Sequence, residues 1–480
     1  MKMIRTLIML IAPLCVMACG DDGNDDNTKG TAATLTSSVP AIGATGVAAT
    51  TTEMTLTFSE EVNFVSGVTA DFNGTSVGLM DFSKSGNIMT LTLPAALEKS
   101  KSYTLSVPDG FFTTKSNGVS VAAFSITFQT EEKVAYDKSN ISTSLVTENP
   151  MASTKKVYDY LLENYGEKTL SATMANVAWN LNEAELVYAA TGKYPAIATM
   201  DYIHLFTQRS DWNSSWKVKY DDITEIQKWT DNGGLVAASW HWMVPVTKGD
   251  IPTSGDGKLA TDLTTAFMPS NMFVDGTWEK EIHDTELPIL AADIKKLQDA
   301  GITLIFRPFH EASGNILSGG EAWFWWGREG AEVYKKVWID LFNYFKEQGI
   351  NNIIWVWTTQ TGYGWDATKG VLCDSEWYPG DEYVDIIGRD AYTKSATDLA
   401  AEYEAMRENF PHKMVTLSEC GSVGKISEQM EKGIMWSWVM PWYQYDATTL
   451  DGHEHADTNW WKDAMSNENV ISRDQLPSFK

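Results

Sequence analysis

The sequence predicts an α/β protein: a (β/α)8 barrel of the TIM class, preceded by a small all-β sandwich. Two observations predict this fold class. From about residue 135 onward, eight apolar runs rich in β-forming residues alternate with amphipathic helical stretches, a pattern typical of a parallel barrel. The tryptophans divide the chain at a similar place, because all 20 of them lie at or beyond Trp179.

The composition limits the classes of partner. The chain has 37 basic and 63 acidic residues and a formal net charge of -26. Nucleic acid and anionic membrane surfaces are therefore excluded as partners, because a polyanion would be repelled. Hydrophobic residues make up 43% and charged residues 21%, which are the proportions of a globular protein and exclude wholesale disorder.

The first residues predict export. The apolar run Leu7–Met17 follows two basic residues and is too short to span a bilayer, so residues 1–18 are expected to be a signal peptide. The sequence Val16-Met17-Ala18-Cys19 resembles the lipobox of bacterial lipoproteins, which implies that Cys19 carries a lipid. An ordinary signal peptide that is cut elsewhere is the alternative.

Residues 19–33 predict a flexible tether, since they are polar and acidic and cannot pack. The acidic run after Cys19 resembles the export tract that sends lipoproteins of one Gram-negative group to the outer cell surface. We therefore expect a protein that is anchored to the outer membrane by its lipid alone and faces the cell surface, with the periplasmic face as the alternative. Two other cysteines remain in the mature chain, Cys373 and Cys420, and they form either a disulfide or two buried free thiols.

Residues 34–131 predict the sandwich. Short β-rich runs separated by turn signals recur at Glu53–Phe58, Val77–Phe82, Ile88–Leu93, Ser102–Val107 and Ala122–Phe128. The opening Ser38-Val39-Pro40 and the run Leu56-Thr57-Phe58-Ser59-Glu60 resemble bacterial immunoglobulin-like modules. Such a module either binds polysaccharide or serves as a spacer. This one has no Trp and a single tyrosine, Tyr103, so few rings are offered to a sugar and a spacer is favoured.

The barrel is predicted to span residues 135–475, and its strands and helices can be assigned from the sequence pattern. The eight strands are expected at Thr169–Ala178, Tyr194–Ile203, Leu235–Trp242, Ile302–Phe309, Asn352–Thr358, Tyr383–Gly388, Lys413–Ser418 and Ile434–Val439. The clearest helices between them are Ala291–Ala300, Tyr334–Gln348 and Thr397–Asn409. An open doubly wound sheet is the rival, but no Gly-rich phosphate turn follows the first strand.

Two acidic residues close predicted strands. In a (β/α)8 barrel the site lies at the carboxyl ends of the strands, and Glu311 follows strand 4 while Glu419 follows strand 7. Two facing carboxyl groups, one protonated and one ionised, are what cleavage of a glycosidic bond requires, and tryptophan faces suit sugar rings. The alternative is that the two acids form separate salt bridges with Arg307 and Arg389.

Three segments carry a family resemblance. Phe306-Arg307-Pro308-Phe309-His310-Glu311, then Trp323-Phe324-Trp325-Trp326-Gly327, then Thr416-Leu417-Ser418-Glu419-Cys420-Gly421 resemble glycoside hydrolase family 26, whose members are chiefly β-mannanases. The resemblance spans about residues 140–475. Two features depart from the commonest family pattern: the loop of residues 312–322 is longer, and Ser418 and Cys420 flank the second acid.

The resemblance implies roles for eight residues. Glu311 is expected to be the general acid/base, with a pKa raised by its apolar surroundings and by Glu419, and Glu419 the nucleophile of a retaining enzyme. The resemblance assigns the sugar-binding and positioning roles to His241, His310, Trp323, Asp390, Tyr392 and Trp436. Tyr392 is expected to hydrogen-bond the nucleophile, while Trp323 and Trp436 stack on the sugars on either side of the cleaved bond. A retaining pair of carboxyl groups lies about 5 to 5.5 Å apart.

The expected substrate is mannan, glucomannan or galactomannan, cleaved at its β-1,4-mannosidic bonds by a monomer without a cofactor. A β-1,3-xylanase or mixed-linkage glucanase of the same family stays open, as does a catalytically inactive surface glycan-binding lipoprotein. Endo and exo action are not distinguished. No metal site is expected, since His453-Glu454-His455 is interpreted as a solvated acidic loop.

Overall fold

The protein is described by a computed structural model. It describes residues 30–49, 51–95, 97–132, 136–175, 179–209, 218–250, 258–316, 319–359, 365–366, 371–372 and 374–479. The chain forms two compact units, Met1–Lys133 and Val134–Lys480. The expected signal peptide (residues 1–18), Cys19 and Cys373 lie outside the described residues.

The first unit is an antiparallel β-sandwich. Its strands are β1 Leu35–Val39, β2 Glu53–Phe58, β3 Val62–Phe64, β4 Ala70–Phe72, β5 Thr75–Val77, β6 Phe82–Ser85, β7 Ile88–Thr92, β8 Ser102–Val107, β9 Phe112–Thr114 and β10 Phe124–Gln129. One sheet has the order β1-β2-β7-β6 and the other β10-β8-β4-β5, and β3 pairs with β9. Alternate residues of β2 and β8 point into the core, as the period of two requires.

One predicted strand of the sandwich is wrong. The run 77–82 is broken into the end of β5, a short turn at Leu79–Asp81, and the start of β6. Met80 at the centre of the turn is 93% exposed. An exposed methionine and the preceding Gly78 show why an apolar run alone does not predict a strand here.

The second unit is a closed parallel barrel. Its strands are β11 Thr169–Met174, β12 Ile197–Asp201, β13 Leu235–Trp240, β14 Val244–Pro245, β15 Leu259–Ala260, β16 Leu304–Pro308, β17 Ile353–Thr359, β18 Trp365–Asp366, β19 Val371–Leu372, β20 Ile386–Tyr392, β21 Met414–Gly421, β22 Trp438–Pro441 and β23 Val470–Ile471. The sheet order is β12-β13-β16-β17-β20-β21-β22-β11, and β11 also pairs with β12, which closes eight strands into a ring. The predicted (β/α)8 fold is therefore confirmed.

The first helix of the second unit precedes β11, and the others each follow a barrel strand. The helices are α1 Ala152–Asn164, α2 Asn182–Thr191, α3 Thr224–Asp231, α4 Trp278–Asp299, α5 Ala331–Glu347, α6 Ala396–Asn409, α7 Ile426–Glu431 and α8 Thr458–Ser466. The predicted segments 334–348 and 397–409 agree with α5 and α6, whereas α4 begins well before predicted residue 291. Its amino end is capped by Thr277, whose side chain accepts a hydrogen bond from the Lys280 backbone N–H.

The barrel strands are covered on both faces. Every residue of β11, β13, β16, β17 and β21 is buried, as expected of parallel strands that lie between a packed interior and a layer of helices. No helix among the described residues is long and apolar enough to cross a bilayer.

Candidate active site

The two predicted acids lie at the carboxyl end of the barrel. Glu311 comes just after β16 and is 8% exposed, and Glu419 lies within β21 and is 6% exposed. Strand β21 is longer than predicted, so Glu419 belongs to the strand itself. Buried carboxyl groups need partners that stabilise whichever form they adopt.

Glu419 is held by two donors. Arg307 Nη2 donates to Oε2 at 2.5 Å, and the Tyr392 hydroxyl donates to Oε1 at 2.6 Å. The expected hydrogen bond between Tyr392 and Glu419 is therefore present. A cationic donor and a hydroxyl donor together fix the direction of the two carboxyl oxygens.

Glu311 has different surroundings. Burial raises the pKa of Glu311 well above its ordinary value, and the negative charges of Asp390 and Glu419 raise it further, against the opposing charges of Arg307 and Arg389. A raised pKa of Glu311 is the direction that the sequence led us to expect. The residue also has a φ of +53°, a left-handed backbone that a non-glycine residue adopts at a cost of roughly 1 to 3 kcal/mol.

Arg307 joins Glu419 to a second buried acid. Its Nη1 donates to Asp390 Oδ2 at 2.8 Å, and the Ser418 hydroxyl donates to Asp390 Oδ1 at 2.8 Å. Asp390 and Glu419 are direct partners across β20 and β21, after a register shift between Gly388 and Asp390. Burial raises the pKa of Asp390 to about 7, whereas the neighbouring carboxylates raise the pKa of Arg307.

The second arginine has another role. Arg389 Nε donates to Glu402 Oε2 at 2.7 Å, and its Nη1 donates to the Thr359 hydroxyl at 3.2 Å. The sequence left open that the two acids form separate salt bridges with Arg307 and Arg389, but Arg307 binds Glu419 and Asp390 together. Arg389 instead binds Glu402 of α6, so this ion pair connects the barrel to its outer layer.

Two histidines meet beside the acids. His310 is buried, with Nε2 at 3.9 Å from Glu419 Oε2, and its ring lies edge-to-face against His241 at 4.3 Å between centroids. Burial, followed by the charge of Arg307, lowers the pKa of His310 well below its ordinary value. His310 is therefore neutral, and its buried Nδ1 has no hydrogen-bond partner among the described residues.

Aromatic rings form one wall of this site. Phe324 is half-buried, stacks on Trp326 at 4.4 Å, and lies 5.5 Å from the ring of His241. Trp323 is also half-buried. The Trp323 backbone nitrogen packs closely against the loop after Glu311: a Cβ atom built on Gly314 would lie 2.5 Å from that nitrogen.

Trp436 does not lie with the other predicted site residues. It is 1% exposed, its indole N–H donates to Gln429 Oε1 at 2.9 Å, and its ring packs edge-on against Tyr403 of α6. The predicted stacking of Trp436 on a sugar is therefore wrong, because a ring enclosed between the barrel and its helices offers no free face.

Trp442 is the tryptophan of this region that reaches the site. It directly follows β22, its backbone N–H donates to the Cys420 carbonyl at 2.8 Å, and its half-buried ring lies 6.0 Å from that of His241. Trp442 was not among the predicted site residues, because the predicted eighth strand ended at Val439, two residues before β22 ends.

A cation does not suit the cluster of donors at the site. Ligand atoms of His310, Asp390 and Glu419 lie within 4.8 Å of one another, a spacing that fits a metal ion. The guanidinium of Arg307 already binds both carboxylates and supplies the positive charge.

The histidine loop after β22 has one buried histidine between exposed acidic residues. His453 is buried, and its Nδ1 accepts hydrogen bonds from the backbone N–H groups of His455 and Ala456, both at 3.2 Å. Its Nε2 faces Glu183 Oε2 at 3.3 Å. Both nitrogens of His453 therefore face protein groups, whereas Asp451 and Glu454 of the same loop are exposed, as expected of a solvated acidic loop.

The fold and the site together define a class of protein. A (β/α)8 barrel with two carboxyl groups and an aromatic wall at the carboxyl ends of its strands is the architecture of a glycoside hydrolase. Comparison with known proteins narrows this class. Residues 146–465 match glycosyl hydrolase family 26, and the chain belongs to that family.

Three relatives illustrate the similarity. Mannan endo-1,4-β-mannosidase A of Piromyces sp is 30% identical over 355 residues, which cover 71% of this chain and 52% of that protein. The family 26 domain of an endo-β-mannanase/endo-β-glucanase from Prevotella bryantii is 38% identical, with a TM-score of 0.64, over 70% of this chain and 99% of that one. A β-mannanase from a symbiotic protist of the termite Reticulitermes speratus was solved with a gluco-manno-oligosaccharide. It is 29% identical with a TM-score of 0.57, and the match covers 71% of this chain and 99% of that one. The chain spans about half the length of the first curated relatives it matches.

The amino-terminal unit has its own match. Residues 29–158 match a bacterial Ig-like domain, in agreement with the predicted immunoglobulin-like sandwich.

Proposed function

We propose that this chain is a retaining β-mannanase that cleaves internal β-1,4-mannosidic bonds, with Glu311 as general acid/base and Glu419 as nucleophile. One observation carries the proposal: two carboxyl groups of the same site have opposite surroundings. Glu419 accepts hydrogen bonds from a guanidinium and a hydroxyl, whereas burial and neighbouring acids raise the pKa of Glu311. A double displacement needs one ionised and one protonated carboxyl group.

In the first step, Glu311 gives its proton to the glycosidic oxygen while a Glu419 oxygen attacks the anomeric carbon. The bond between that carbon and the leaving oxygen breaks, and a glycosyl ester on Glu419 forms. In the second step, the Glu311 carboxylate takes a proton from water, and the water oxygen attacks the same carbon. Glu419 leaves as a carboxylate, and the product keeps its β configuration.

The surrounding residues support both steps. Arg307 and Tyr392 orient Glu419 before the attack and receive it again when the ester is hydrolysed. Once Glu419 is esterified, one negative charge near Glu311 is gone, so the pKa of Glu311 falls and its carboxylate becomes available as a base. Phe324, Trp323 and Trp442 supply half-buried rings for sugar stacking.

The choice of mannan as substrate rests on the relatives. Those from Piromyces sp are named mannan endo-1,4-β-mannosidases, and the Prevotella bryantii structure is the family 26 domain of an endo-β-mannanase/endo-β-glucanase. An inactive glycan-binding protein is disfavoured because capture alone has no use for two carboxyl groups with opposite surroundings.

The test is release of reducing ends from unsubstituted β-mannan by the purified chain, beside Glu419→Ala. We expect release by the wild type, with short oligosaccharides of mixed length, and none by the variant, which still binds mannan. The control is Asp293→Asn, a substitution at a buried acid of α4 that contacts Gln208 and Lys296. Release by Glu419→Ala at a near-normal rate would contradict the assigned nucleophile. Release only from β-1,3-xylan or mixed-linkage glucan would move the substrate to those glycans.

Retention has a separate test. Proton NMR of the first products identifies their anomeric configuration before the sugar equilibrates in water. We expect the β anomer to come first. An initial α anomer would contradict the double displacement.

We also propose that the protein is a monomer that a lipid on Cys19 anchors to the outer membrane, with the sandwich as a spacer. The lipobox-like run before Cys19 and the acidic run after it support this proposal. In the native host, Cys19→Ala is expected to move the protein from the membrane fraction to the soluble one. External protease distinguishes surface from periplasmic exposure, and sedimentation of the detergent-free variant measures the number of chains.

A further inference from the structure

One carboxylate holds His241 at two points. Asp201, the last residue of β12, accepts the backbone N–H of His241 with Oδ1 at 3.1 Å and faces the ring Nδ1 with Oδ2 at 2.5 Å. Asp201 is 2% exposed, so bulk water competes weakly for these contacts. The pair fixes both the position of the main chain after β13 and the rotation of the ring.

The carboxylate also decides which ring nitrogen carries the proton. In a neutral imidazole one nitrogen donates and the other accepts, and a carboxylate opposite Nδ1 requires the proton there. Nε2 is then left as a hydrogen-bond acceptor. The ring carrying this nitrogen lies against His310, Phe324 and Trp442, that is, in the wall of the proposed sugar site.

We infer that Asp201 is a positioning residue that makes His241 Nε2 an acceptor for a hydroxyl group of the bound sugar. The inference rests on the proposed function for its ligand, a β-linked sugar residue next to Glu419. A sugar hydroxyl can donate or accept a hydrogen bond, but a fixed acceptor requires it to donate. This donor role then decides whether the neighbouring hydroxyls of the sugar ring donate or accept. A substrate that lacks this hydroxyl leaves Nε2 unpaired.

The rival explanation is purely structural. Asp201 and Ser239 are partners across β12 and β13, so the carboxylate could serve only to join the ends of the two strands. The two explanations differ in what Asp201→Asn does to the ring. Asparagine keeps the shape, but with its oxygen on the backbone N–H it presents an NH2 group to Nδ1, which must then give up its proton to Nε2.

The first experiment reads the protonation state directly. Long-range proton–nitrogen NMR spectra of the full chain labelled with nitrogen-15 histidine are recorded near pH 7, and His241→Gln assigns the signal among seven histidines. We expect a neutral ring with its proton on Nδ1 in the wild type and on Nε2 in Asp201→Asn. Asp293→Asn, a matched change at a buried acid, should leave the signal unchanged. A wild-type proton on Nε2, a doubly protonated ring, or no change in Asp201→Asn would overturn the inference.

The second experiment measures coupling. On a manno-oligosaccharide, Asp201→Asn and His241→Gln are each expected to lower kcat/KM by about 10- to 100-fold, and the double variant no further, because both remove the same acceptor. Losses that multiply, together with an equal fall in thermal stability, would support the structural rival. A wild type without turnover would contradict the proposed function, while the NMR result would still decide the role of Asp201.

Discussion

The two ends of the barrel bury ionisable groups in different ways. At the floor, where the strands begin, Asp385 accepts the backbone N–H groups of Val146 and Trp355, both at 2.8 Å, and Lys413 donates to two backbone carbonyls, at 2.6 and 2.7 Å. At the mouth, where the strands end, Arg307 binds the side chains of Asp390 and Glu419. Asp385 and Lys413 at the floor are bound to the main chain, whereas Arg307, Asp390 and Glu419 at the mouth are bound to one another.

This difference separates folding from chemistry. A main-chain partner never titrates, so the floor fixes geometry. Side-chain partners change charge together, so a proton moved at the mouth changes the pKa of each neighbour. Backbone strain follows the same division: of the five described non-glycine residues with positive φ in the second unit, four lie just past strand ends at the mouth, namely Phe309, Glu311, Thr393 and Ser422.

The largest expected effect comes from the acid at the mouth. Glu311→Gln removes the proton donor, so kcat on mannan should fall by about 10² to 10⁴-fold. On an aryl β-mannobioside, whose leaving group needs no proton, formation of the glycosyl ester should be nearly unaffected, and a burst of the released phenol measures it. Equal losses on both substrates would show that Glu311 does not act as the acid.

The next effect tests the donor to Glu419. Tyr392→Phe removes one hydrogen bond at the reacting oxygen, and kcat should fall by about 10- to 100-fold with little change in the free energy of unfolding. The matched control is Tyr403→Phe, which removes a hydroxyl that donates to the Met435 carbonyl away from the mouth. This control should cost stability by about 1 kcal/mol and leave kcat unchanged. If Tyr392→Phe lowered only the free energy of unfolding and Tyr403→Phe lowered only kcat, the hydroxyl groups at the mouth and in the core would not have the different roles assigned to them.

A smaller effect is expected in the pH profile. Activity requires protonated Glu311, so it falls as pH rises through the raised pKa of this residue. Asp390 is the largest charge that raises this pKa, and Asp390→Asn removes it. The alkaline limb of kcat/KM should therefore move toward lower pH, by about one unit. A limb that moves upward, or stays in place, would mean that the two groups are not coupled.

The smallest effect on activity is expected at the floor. Burial raises the pKa of Asp385 to about 7 from an ordinary value of 3.8. An acid with a raised folded-state pKa contributes stability that is complete below its unfolded-state pKa and is lost as pH rises toward 7. Asp385→Asn should abolish this decline in chemical denaturation between pH 4 and pH 7, while kcat stays unchanged. A change in kcat would show that the floor and the mouth are coupled.

The order of the barrel elements could be predicted because each buried strand is a continuous apolar run. The ends of the strands could not, and this is where the errors lie. The predicted eighth strand began at Ile434, four residues before β22. The resemblance then placed Trp436 of that predicted strand at the site, whereas the ring that reaches the site is that of Trp442. Since a strand end decides which side chains reach the mouth, a shift of a few residues exchanges one tryptophan for another.

Asp201 shows the same limit more clearly. The predicted second strand extended to Ile203, which put Asp201 inside it, whereas β12 ends at Asp201. Its partner His241 is 40 positions away, and no local pattern joins the two. The acids Glu311 and Glu419 were predictable because each directly closes an apolar run, but the sharing of Arg307 between Glu419 and Asp390 depends on the register of three strands.

Cys420 follows Glu419 in β21 and is a fully buried free thiol. Burial raises its pKa well above the ordinary value, and thiolate is the form that oxidants and alkylating reagents attack. The Cys420 thiol is therefore a probe for local unfolding of β21, the strand that carries Glu419. The rate at which an alkylating reagent labels this thiol at rising denaturant concentration reports how often the strand leaves the sheet. This sulfur thus stays out of reach of oxidants for as long as the barrel stays closed.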